Sequence, residues 1–317
     1  MTRVEDVLVI HQGALGDLVC AFPALSLLKN NIESASLGIL CESRVGALTV
    51  HLGIVDHYLP LERACFASLF SSAPSTEASD IIRRYSRIIV VSFSEKLVET
   101  LNKILPDRVT QILPRHPLFQ KKHVSDFIID QFCRKGVCKE QKPLKSNSGI
   151  CSCDVNNSEV GHTRLWIHPG SGSRLKAWPI ERFCGLYELI KDRGLARPCF
   201  ILGPAELHLM DLLKNDFDME IVFPSNLVEL AGLLAQGRIF IGNDSGVSHL
   251  AAFIGLSVVA IFGPSDPARW SPRGRDVTVM SRDMPCAPCF EQGKKDCKTP
   301  RCFLDISVDE ILSAIFS

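Results

Sequence analysis

Short apolar runs alternate with amphipathic segments along the first half of the chain. Residues 6–11 form an apolar run that two closely spaced glycines follow, Gly13 and Gly16. Beyond the glycines, apolar residues recur at helical spacing: Leu18, Val19, Phe22, Leu25 and Leu28. This order predicts a strand, a glycine turn and a helix. Further strands are predicted at 37–41, 58–60 and 87–92, and their alternation with helices is typical of parallel βαβ units.

A polar stretch at 136–158 divides this pattern from a second one. The stretch is rich in Lys, Ser and Asn and has no hydrophobic period, which is typical of a linker. After it, strands are predicted at 165–168, 199–202, 239–242 and 258–262, and helices at 180–191, 227–236, 247–254 and 307–316. We therefore predict an α/β protein of two Rossmann-like domains, residues 1–155 and 156–317, that face each other across a cleft.

Composition excludes several classes of protein. The 317 residues are 46% hydrophobic and 22% charged, with a formal net charge of zero, so we expect a globular protein that does not bind nucleic acid. The first residues lack the basic head and long apolar stretch of a signal peptide. The longest nearly apolar run, 250–263, is shorter than the roughly 20 residues that cross a bilayer. We expect a cytoplasmic protein, either soluble or peripheral at the inner face of a membrane.

The first glycine turn carries a candidate catalytic residue. In open α/β sheets, ligands bind beyond the carboxyl ends of the strands, and the turn that contains Gly13, Gly16 and Asp17 lies at such an end. The Asp17 carboxylate could act there as a general base. The alternative is that Asp17 caps the following helix by accepting hydrogen bonds from its first amides.

Two further loops follow strands in the second half of the chain. The segment 168–179 contains Gly170, Ser171 and Lys176, whose amides, hydroxyl and positive charge suit phosphate oxygens. The alternative is a flexible solvated turn with Trp178 as a packing residue. We expect Trp178 and Pro179 to fix the start of the next helix rather than to contact a ligand. Glu206, just past strand 199–202, could accept hydrogen bonds from a ribose or a base, or it could be a solvated glutamate at a helix start.

The segment 241–252 is the most informative of these loops. A strand ends at Gly242, Asp244 or Ser245 caps a helix, and Ser245 and His249 lie four residues apart on one helical face. Exposed amides and the helix dipole favour an anion at this position. His249 could donate to a phosphate, although a histidine among apolar residues also fits simple packing.

Five segments, in this order and spacing, resemble glycosyltransferase family 9, the ADP-heptose:lipopolysaccharide heptosyltransferases. They are GALGD, HPGSGSRLKAWPIERF, ILGPAE, GNDSGVSHLAA and IFGPSDPARWSPRG, and the resemblance spans nearly the whole chain. The resemblance implies a GT-B fold that binds the acceptor mainly with the first domain and the nucleotide sugar mainly with the second. It also implies inverting, metal-independent transfer without a cofactor.

The resemblance assigns roles to the candidate residues. Asp17 falls on the family's catalytic base, and Lys176 on the group that neutralises the charge growing on the leaving ADP. Glu206 falls on a position that contacts the nucleoside. The other implied substrate-binding residues are Gly13, Gly16, Gly170, Ser171, Asp244, Ser245, Gly246 and His249.

Three segments outside these loops suggest other chemistry. Asp-Phe-Asp at 216–218 has the form of a metal-chelating motif, but it lies in a polar stretch before a short predicted strand and away from the loops, so we expect no metal there. Basic side chains outnumber acidic ones at 115–145, which fits either an acidic glycolipid at a membrane face or an ordinary solvated segment. Four cysteines near the end could hold zinc or an iron–sulfur cluster, or could be free thiols: Cys286, Cys289, Cys297 and Cys302.

The leading hypothesis is transfer of a heptose, or a related sugar, from an ADP-sugar to a lipopolysaccharide core glycolipid. One alternative keeps the GT-B architecture but makes the protein a nucleotide-sugar epimerase, which would convert a UDP-sugar with no acceptor present. The other is a non-enzymatic nucleotide-binding sensor whose thiols or bound metal are the active part.

Overall fold

Two α/β units make up the protein. The computed structural model describes residues 6–32, 36–71, 73–117, 121–138, 163–216, 219–294, 297 and 299–316, and the chain divides into Met1–Pro143 and Leu144–Ser317. The predicted domain boundary between residues 155 and 156 lies outside the described residues and stays a prediction.

The first unit is built on a five-stranded parallel sheet in the order β3-β2-β1-β4-β5. Its strands are β1 (Val7–His11), β2 (Leu37–Cys41), β3 (His57–Pro60), β4 (Arg87–Val91) and β5 (Val109–Ile112). Its α-helices are α1 (Leu15–Asn31), α2 (Ser43–His51), α3 (Ala64–Ala67), α4 (Thr76–Ile82), α5 (Glu95–Ile104) and α6 (Val124–Arg134).

The second unit is built on a six-stranded parallel sheet in the order β11-β10-β9-β6-β7-β8. Its strands are β6 (Arg164–His168), β7 (Arg197–Ile201), β8 (Ile221–Val222), β9 (Ile239–Asn243), β10 (Ser257–Ile261) and β11 (Val277–Met280). Its α-helices are α7 (Ile180–Asp192), α8 (Leu227–Leu234), α9 (Gly246–Ile254), α10 (Pro267–Trp270), α11 (Arg301–Leu304) and α12 (Val308–Phe316).

The central strands are covered on both faces of their sheets. Every residue of β1 and of β2 is buried, and because successive side chains of a strand point to opposite faces, both faces must be packed. The five apolar positions predicted to form the inner side of the first helix are all buried in α1. The structure contains every predicted strand, the first predicted helix and the four helices predicted in the second half.

Each sheet has one place where its strand order reverses. In the first sheet the reversal lies between β1 and β4, and in the second it lies between β6 and β9. The loops that leave the carboxyl ends of two such strands diverge to opposite sides and leave a crevice, which is where open parallel sheets bind ligands. The candidate loops after β1, β6 and β9 all start beside these positions. No helix among the described residues has both the length and the apolar character that a membrane span requires.

Candidate functional site

The glycine turn after β1 holds Asp17 against the start of α1. Ala14 is the N-cap residue, and Asp17 Oδ2 accepts a hydrogen bond from the Ala14 amide at 3.2 Å. A Cβ at Gly13 would lie 2.6 Å from Asp17 Cβ and 2.7 Å from His11 Cε1, so only glycine allows this close approach. Gly16 lies in the first turn of α1. Asp17 is therefore not the N-cap residue, although its carboxylate satisfies an amide at the helix start. Its role as a base stays a prediction.

The side chain of His11, which lies beside this turn, is an uncharged imidazole. The residue is buried, and burial lowers the pKa of its imidazole to about 4. The Gly13 amide donates to His11 Nδ1 at 3.2 Å, which requires an unprotonated nitrogen. Next to it, Ser92 Oγ donates to Gln12 Oε1 at 2.7 Å and so joins the ends of β1 and β4.

The basic segment of the first unit is partly used in internal contacts. Lys122 pairs with Asp130, and Lys135 Nζ donates to the Gln111 carbonyl at 2.6 Å. The Arg115 guanidinium lies 5.4 Å from the centre of the Phe93 ring, which is 51% exposed. Lys121 is exposed, and three further lysines of the segment, Lys139, Lys142 and Lys145, lie outside the described residues.

A buried ion pair joins two of the candidate loops in the second unit. Lys176 lies in a short 3₁₀ turn at Arg174–Lys176, and its Nζ is 2.7 Å from Asp244 Oδ2. The two side chains are only 17% and 8% exposed. Asp244 is fixed from behind, because its amide donates to the Ile261 carbonyl at the end of β10. The loops after β6 and β9 therefore meet at one ammonium and one carboxylate.

Asn243 ties the same two loops together and was not predicted as a site residue. Its side chain is buried, its Oδ1 accepts from the Trp178 amide at 2.9 Å, and its Nδ2 donates to the Pro169 carbonyl at 2.8 Å. These two bonds hold both ends of the segment that carries Lys176. The only signal in the sequence is its place between the end of a strand and Asp244.

Glu206 is buried beside Gly170. Its Oε2 accepts from the Gly203 amide at 2.9 Å, and a Cβ at Gly170 would overlap both the Glu206 carboxylate and the His168 ring. The alternative of a solvated glutamate is therefore wrong, since Glu206 is only 7% exposed. Burial lowers the pKa of His168, against the opposing charge of Glu206, and His168 Nδ1 donates to the Ile201 carbonyl at 2.9 Å.

Ser245, not Asp244, is the N-cap residue of α9. Ser245 Oγ accepts from the Ser248 amide at 3.3 Å, and Gly246 is the first residue of the helix. Ser248 Oγ donates to the Asn243 carbonyl. His249 is buried, and its amide donates to the Ser245 carbonyl.

Ser171 and Trp178 shape the segment between β6 and α7. Ser171 Oγ donates to the Ser173 carbonyl, which turns the chain within the loop. Trp178 is 1% exposed, its indole Nε1 donates to the Ile306 carbonyl at 3.3 Å, and Pro179 is the N-cap residue of α7. The prediction that Trp178 and Pro179 fix the helix start is confirmed.

The four cysteines near the end of the chain line one cavity. Phe290 lines it as well, together with Arg174, Leu175 and Ala177, the neighbours of Lys176 in the chain. None of these four described cysteines is paired in a disulfide. The pKa of Cys302 is raised to about 11, first by burial and then by the neighbouring Cys289, Cys297 and Cys286. Among the residues that the structure describes, no three His, Cys, Asp or Glu side chains are arranged to hold a metal ion. The Asp-Phe-Asp segment at 216–218 has its side chains outside the described part.

Comparisons with known proteins point to one family. Residues 120–299 match the profile of glycosyltransferase family 9 (heptosyltransferase). Lipopolysaccharide heptosyltransferase 1 of Pseudomonas aeruginosa is 31% identical over 159 residues, which cover 49% of this chain and 44% of that protein.

Two solved structures share the architecture. The glycosyl transferase family 9 protein of Veillonella parvula superposes with a TM-score of 0.76 at 17% identity, over 100% of this chain and 98% of that one. The E. coli heptosyltransferase WaaC with ADP superposes with a TM-score of 0.70 at 17% identity, over 98% and 99% of the two chains. These similarities confirm the predicted GT-B fold of two Rossmann-like units.

Proposed function

Because the chain belongs to glycosyltransferase family 9, we propose that it transfers a heptose, or a related sugar, from an ADP-sugar to a lipopolysaccharide core glycolipid. The proposed reaction inverts the configuration of the anomeric carbon and needs neither a metal ion nor another cofactor. Support for the sugar and the acceptor comes from the P. aeruginosa relative, whose name describes a lipopolysaccharide heptosyltransferase. Support for the nucleotide comes from the E. coli heptosyltransferase whose structure contains ADP.

The observation that carries the proposal is the buried pair of Lys176 and Asp244 beside the reversal point of the second sheet. A cation with little solvent around it attracts a diphosphate strongly, because water screens the attraction less there. The amide-rich start of α9 lies next to it in sequence, and helix N-termini favour anions. A diphosphate is the ligand that this combination suits best.

Asp17 is the proposed base. Its carboxylate takes the proton of the acceptor hydroxyl as that oxygen forms a bond to the anomeric carbon. At the same time the bond from the anomeric carbon to the donor phosphate breaks, and its electron pair leaves with ADP. One carboxylate is enough for this single displacement, since no covalent sugar–enzyme intermediate is formed.

The second unit is proposed to bind the donor. Lys176 neutralises the negative charge that grows on the departing diphosphate, and the amides of Gly170 and Ser171 lie in the same segment. Glu206 is proposed to accept hydrogen bonds from the nucleoside. Its Oε2 already accepts from the Gly203 amide, and its Oε1, which lies beside Gly170, would accept from the nucleoside. The sugar and diphosphate are held by the loop that carries Asp244, Ser245, Gly246 and His249.

The first unit is proposed to bind the glycolipid. Gly13 and Gly16 shape the turn beside Asp17. Arg115 offers a guanidinium at the carboxyl end of the sheet, and an acidic glycolipid would bring its own negative charge to it. Such binding would take place in the cytoplasm at the inner face of the inner membrane.

The test is an incubation of the purified protein with ADP- and UDP-sugars, each with and without truncated core glycolipids, followed by mass spectrometry. We expect the glycolipid to gain one heptose from ADP-heptose, and we expect transfer to continue after treatment with a chelator. NMR of the new linkage should show the anomeric configuration opposite to that of the donor. Conversion of a UDP-sugar without an acceptor would instead indicate an epimerase. A protein that turns over no sugar and loses ADP binding when a chelator is added would indicate a sensor.

A further inference from the structure

The side chain of Phe290 lies beside the Lys176 ammonium. Lys176 Nζ is 5.2 Å from the centre of the Phe290 ring, within the range at which a cation is attracted by the electrons of an aromatic face. Phe290 belongs to the segment 286–302, which contains the four cysteines and is called the tail here. Neither the sequence nor the family match gives this segment a part in the reaction. The ring and Asp244 are thus two different neighbours of one buried cation.

The tail is anchored to the loop after β10 at this point. The Phe290 amide donates to the Pro264 carbonyl at 3.1 Å, and Glu291 Oε1 accepts from the Asp266 amide at 3.0 Å. Glu291 also pairs with Arg269, and these side chains are only 8% and 3% exposed. Separating a buried, hydrogen-bonded ion pair is strongly unfavourable, because each charge would be left buried without its partner. The backbone that carries the Phe290 ring is therefore held in place on both sides of the residue's Cα.

Asp244 and Phe290 act differently on the ammonium when a diphosphate binds. The carboxylate of Asp244 competes with the phosphate oxygens for the N–H donors of Lys176. The ring does not compete, since its attraction acts through its face and leaves those donors available. An ammonium that turns from the carboxylate towards a phosphate can stay over the ring throughout.

We propose that the tail segment 289–291 is part of the donor site and that Phe290 is a positioning residue, which holds the Lys176 ammonium where it meets the diphosphate. This inference rests on the proposed function of Lys176. It gives the tail a role in donor binding that depends on the aromatic ring rather than on the thiols.

The test is the affinity for ADP, measured by isothermal titration calorimetry on the full chain and on variants of Phe290. Phe290→Leu keeps an apolar side chain but removes the ring, and we expect its dissociation constant for ADP to rise about fivefold. Phe290→Tyr keeps the ring and should remain within about twofold of the original value. Phe316→Leu, the same change on the terminal helix α12, is the matched control and should leave ADP binding unchanged. Should Phe290→Leu not fold, Phe290→Met replaces it, because Met fills an apolar site flexibly.

The same substitution in a Lys176→Met background separates positioning from simple packing. If the ring acts through the ammonium, Phe290→Leu should have no further effect on ADP affinity once the ammonium is gone. An equal loss in both backgrounds would overturn the inference, as would a Tyr variant as weak as the Leu variant.

The two proposals fail in different ways. Unchanged ADP affinity in Lys176→Met would contradict the proposed role of Lys176, and with it this inference. A loss of affinity in Lys176→Met together with none in Phe290→Leu would overturn the inference alone. Steady-state kinetics add a further check, since Phe290→Leu should raise the donor KM more than it lowers kcat.

Discussion

The carboxyl edges of the two sheets have the same construction and different electrostatics. The edge of the first sheet has Asp17 and the neutral, buried His11, and among the described residues of that unit no Lys or Arg is buried. The edge of the second sheet has the buried pair of Arg269 and Glu291 and, in the pair with the buried Asp244, the largely buried Lys176. The parallel sheet decides where the loops lie, and the loop residues decide the chemistry. One edge suits the removal of a proton, and the other suits an anion.

The largest effect should follow from removing the carboxylate of the first edge. Asp17→Asn keeps an oxygen that can accept from the Ala14 amide but no longer takes a proton, so we expect transfer to fall by at least about 100-fold. ADP affinity, measured by calorimetry, should not change. Asp17→Ala should have the same effect on transfer and should also lower the free energy of unfolding by about 1 kcal/mol, because the amide at the helix start loses its partner. Undiminished transfer by the Asn variant would show that the two edges do not divide the chemistry in this way.

Removing the cation of the second edge should affect both stability and ligand binding. Lys176→Met leaves the buried Asp244 carboxylate without its partner, and we expect the free energy of unfolding to fall by about 3 kcal/mol. Adding Asp244→Asn should recover most of that stability, since the unpaired charge is gone, without restoring ADP affinity. Denaturant unfolding and calorimetry on the single and double variants would check this. Recovery of ADP binding in the double variant would contradict the need for the ammonium.

The neutral His11 of the first edge predicts how stability depends on pH. The pKa of His11 is about 4 in the folded protein and near its ordinary value of 6.5 in the unfolded chain. Below pH 6.5 the unfolded chain therefore binds a proton that the folded protein does not, so stability falls as the pH falls towards 4. At pH 5 this one group costs about 2 kcal/mol relative to pH 7.

Urea unfolding at several pH values would measure the effect, with His11→Gln as the variant that lacks it. The variant should lose less stability between pH 7 and pH 5 than the original protein does. The pKa of His168 is also lowered by burial, so the variant should keep part of the dependence. Equal losses in the two proteins would mean that His11 is not buried as a neutral group.

The smallest effect should come from the glycines of the second edge. Gly170→Ala would push a methyl group into the Glu206 carboxylate and the His168 ring, and we expect a loss of at least about 1 kcal/mol in stability. Gly172→Ala is the matched control, because nothing lies within 4 Å of a Cβ at that position. Thermal unfolding of the two variants should separate them, and similar melting temperatures would show that the loop adjusts freely.

Strands that are covered on both faces were predictable from the sequence, as was the edge strand β3, whereas two other edge strands were not. The predicted strands read as short apolar runs, as expected where both faces of a sheet are covered. Two strands were missed, β5 and β11, and each lies at the edge of its sheet. All four residues of β11 are partly exposed, as are three of the four residues of β5. Partial exposure removes the apolar signal on which the prediction depended.

The candidate site was predictable as a set of loops but not as a set of contacts. Asp17, Lys176 and Asp244 stood out because each follows a predicted strand. That Lys176 and Asp244 form a pair, or that Arg269 pairs with Glu291, depends on how the strands are ordered in the sheet. No local pattern of residues reports such contacts, because the partners lie in different elements.

The side chain of Asn243 makes the second unit sensitive to a change of a single group. It accepts from the Trp178 amide with one atom and donates to the Pro169 carbonyl with the other. A carboxylate at this position, as in Asn243→Asp, would exchange the donor for a second acceptor. An oxygen of that carboxylate would then face the Pro169 carbonyl oxygen in a buried place. The segment that carries Lys176 would lose its attachment at the Pro169 end. A single neutral amide thus decides whether both ends of this loop are held.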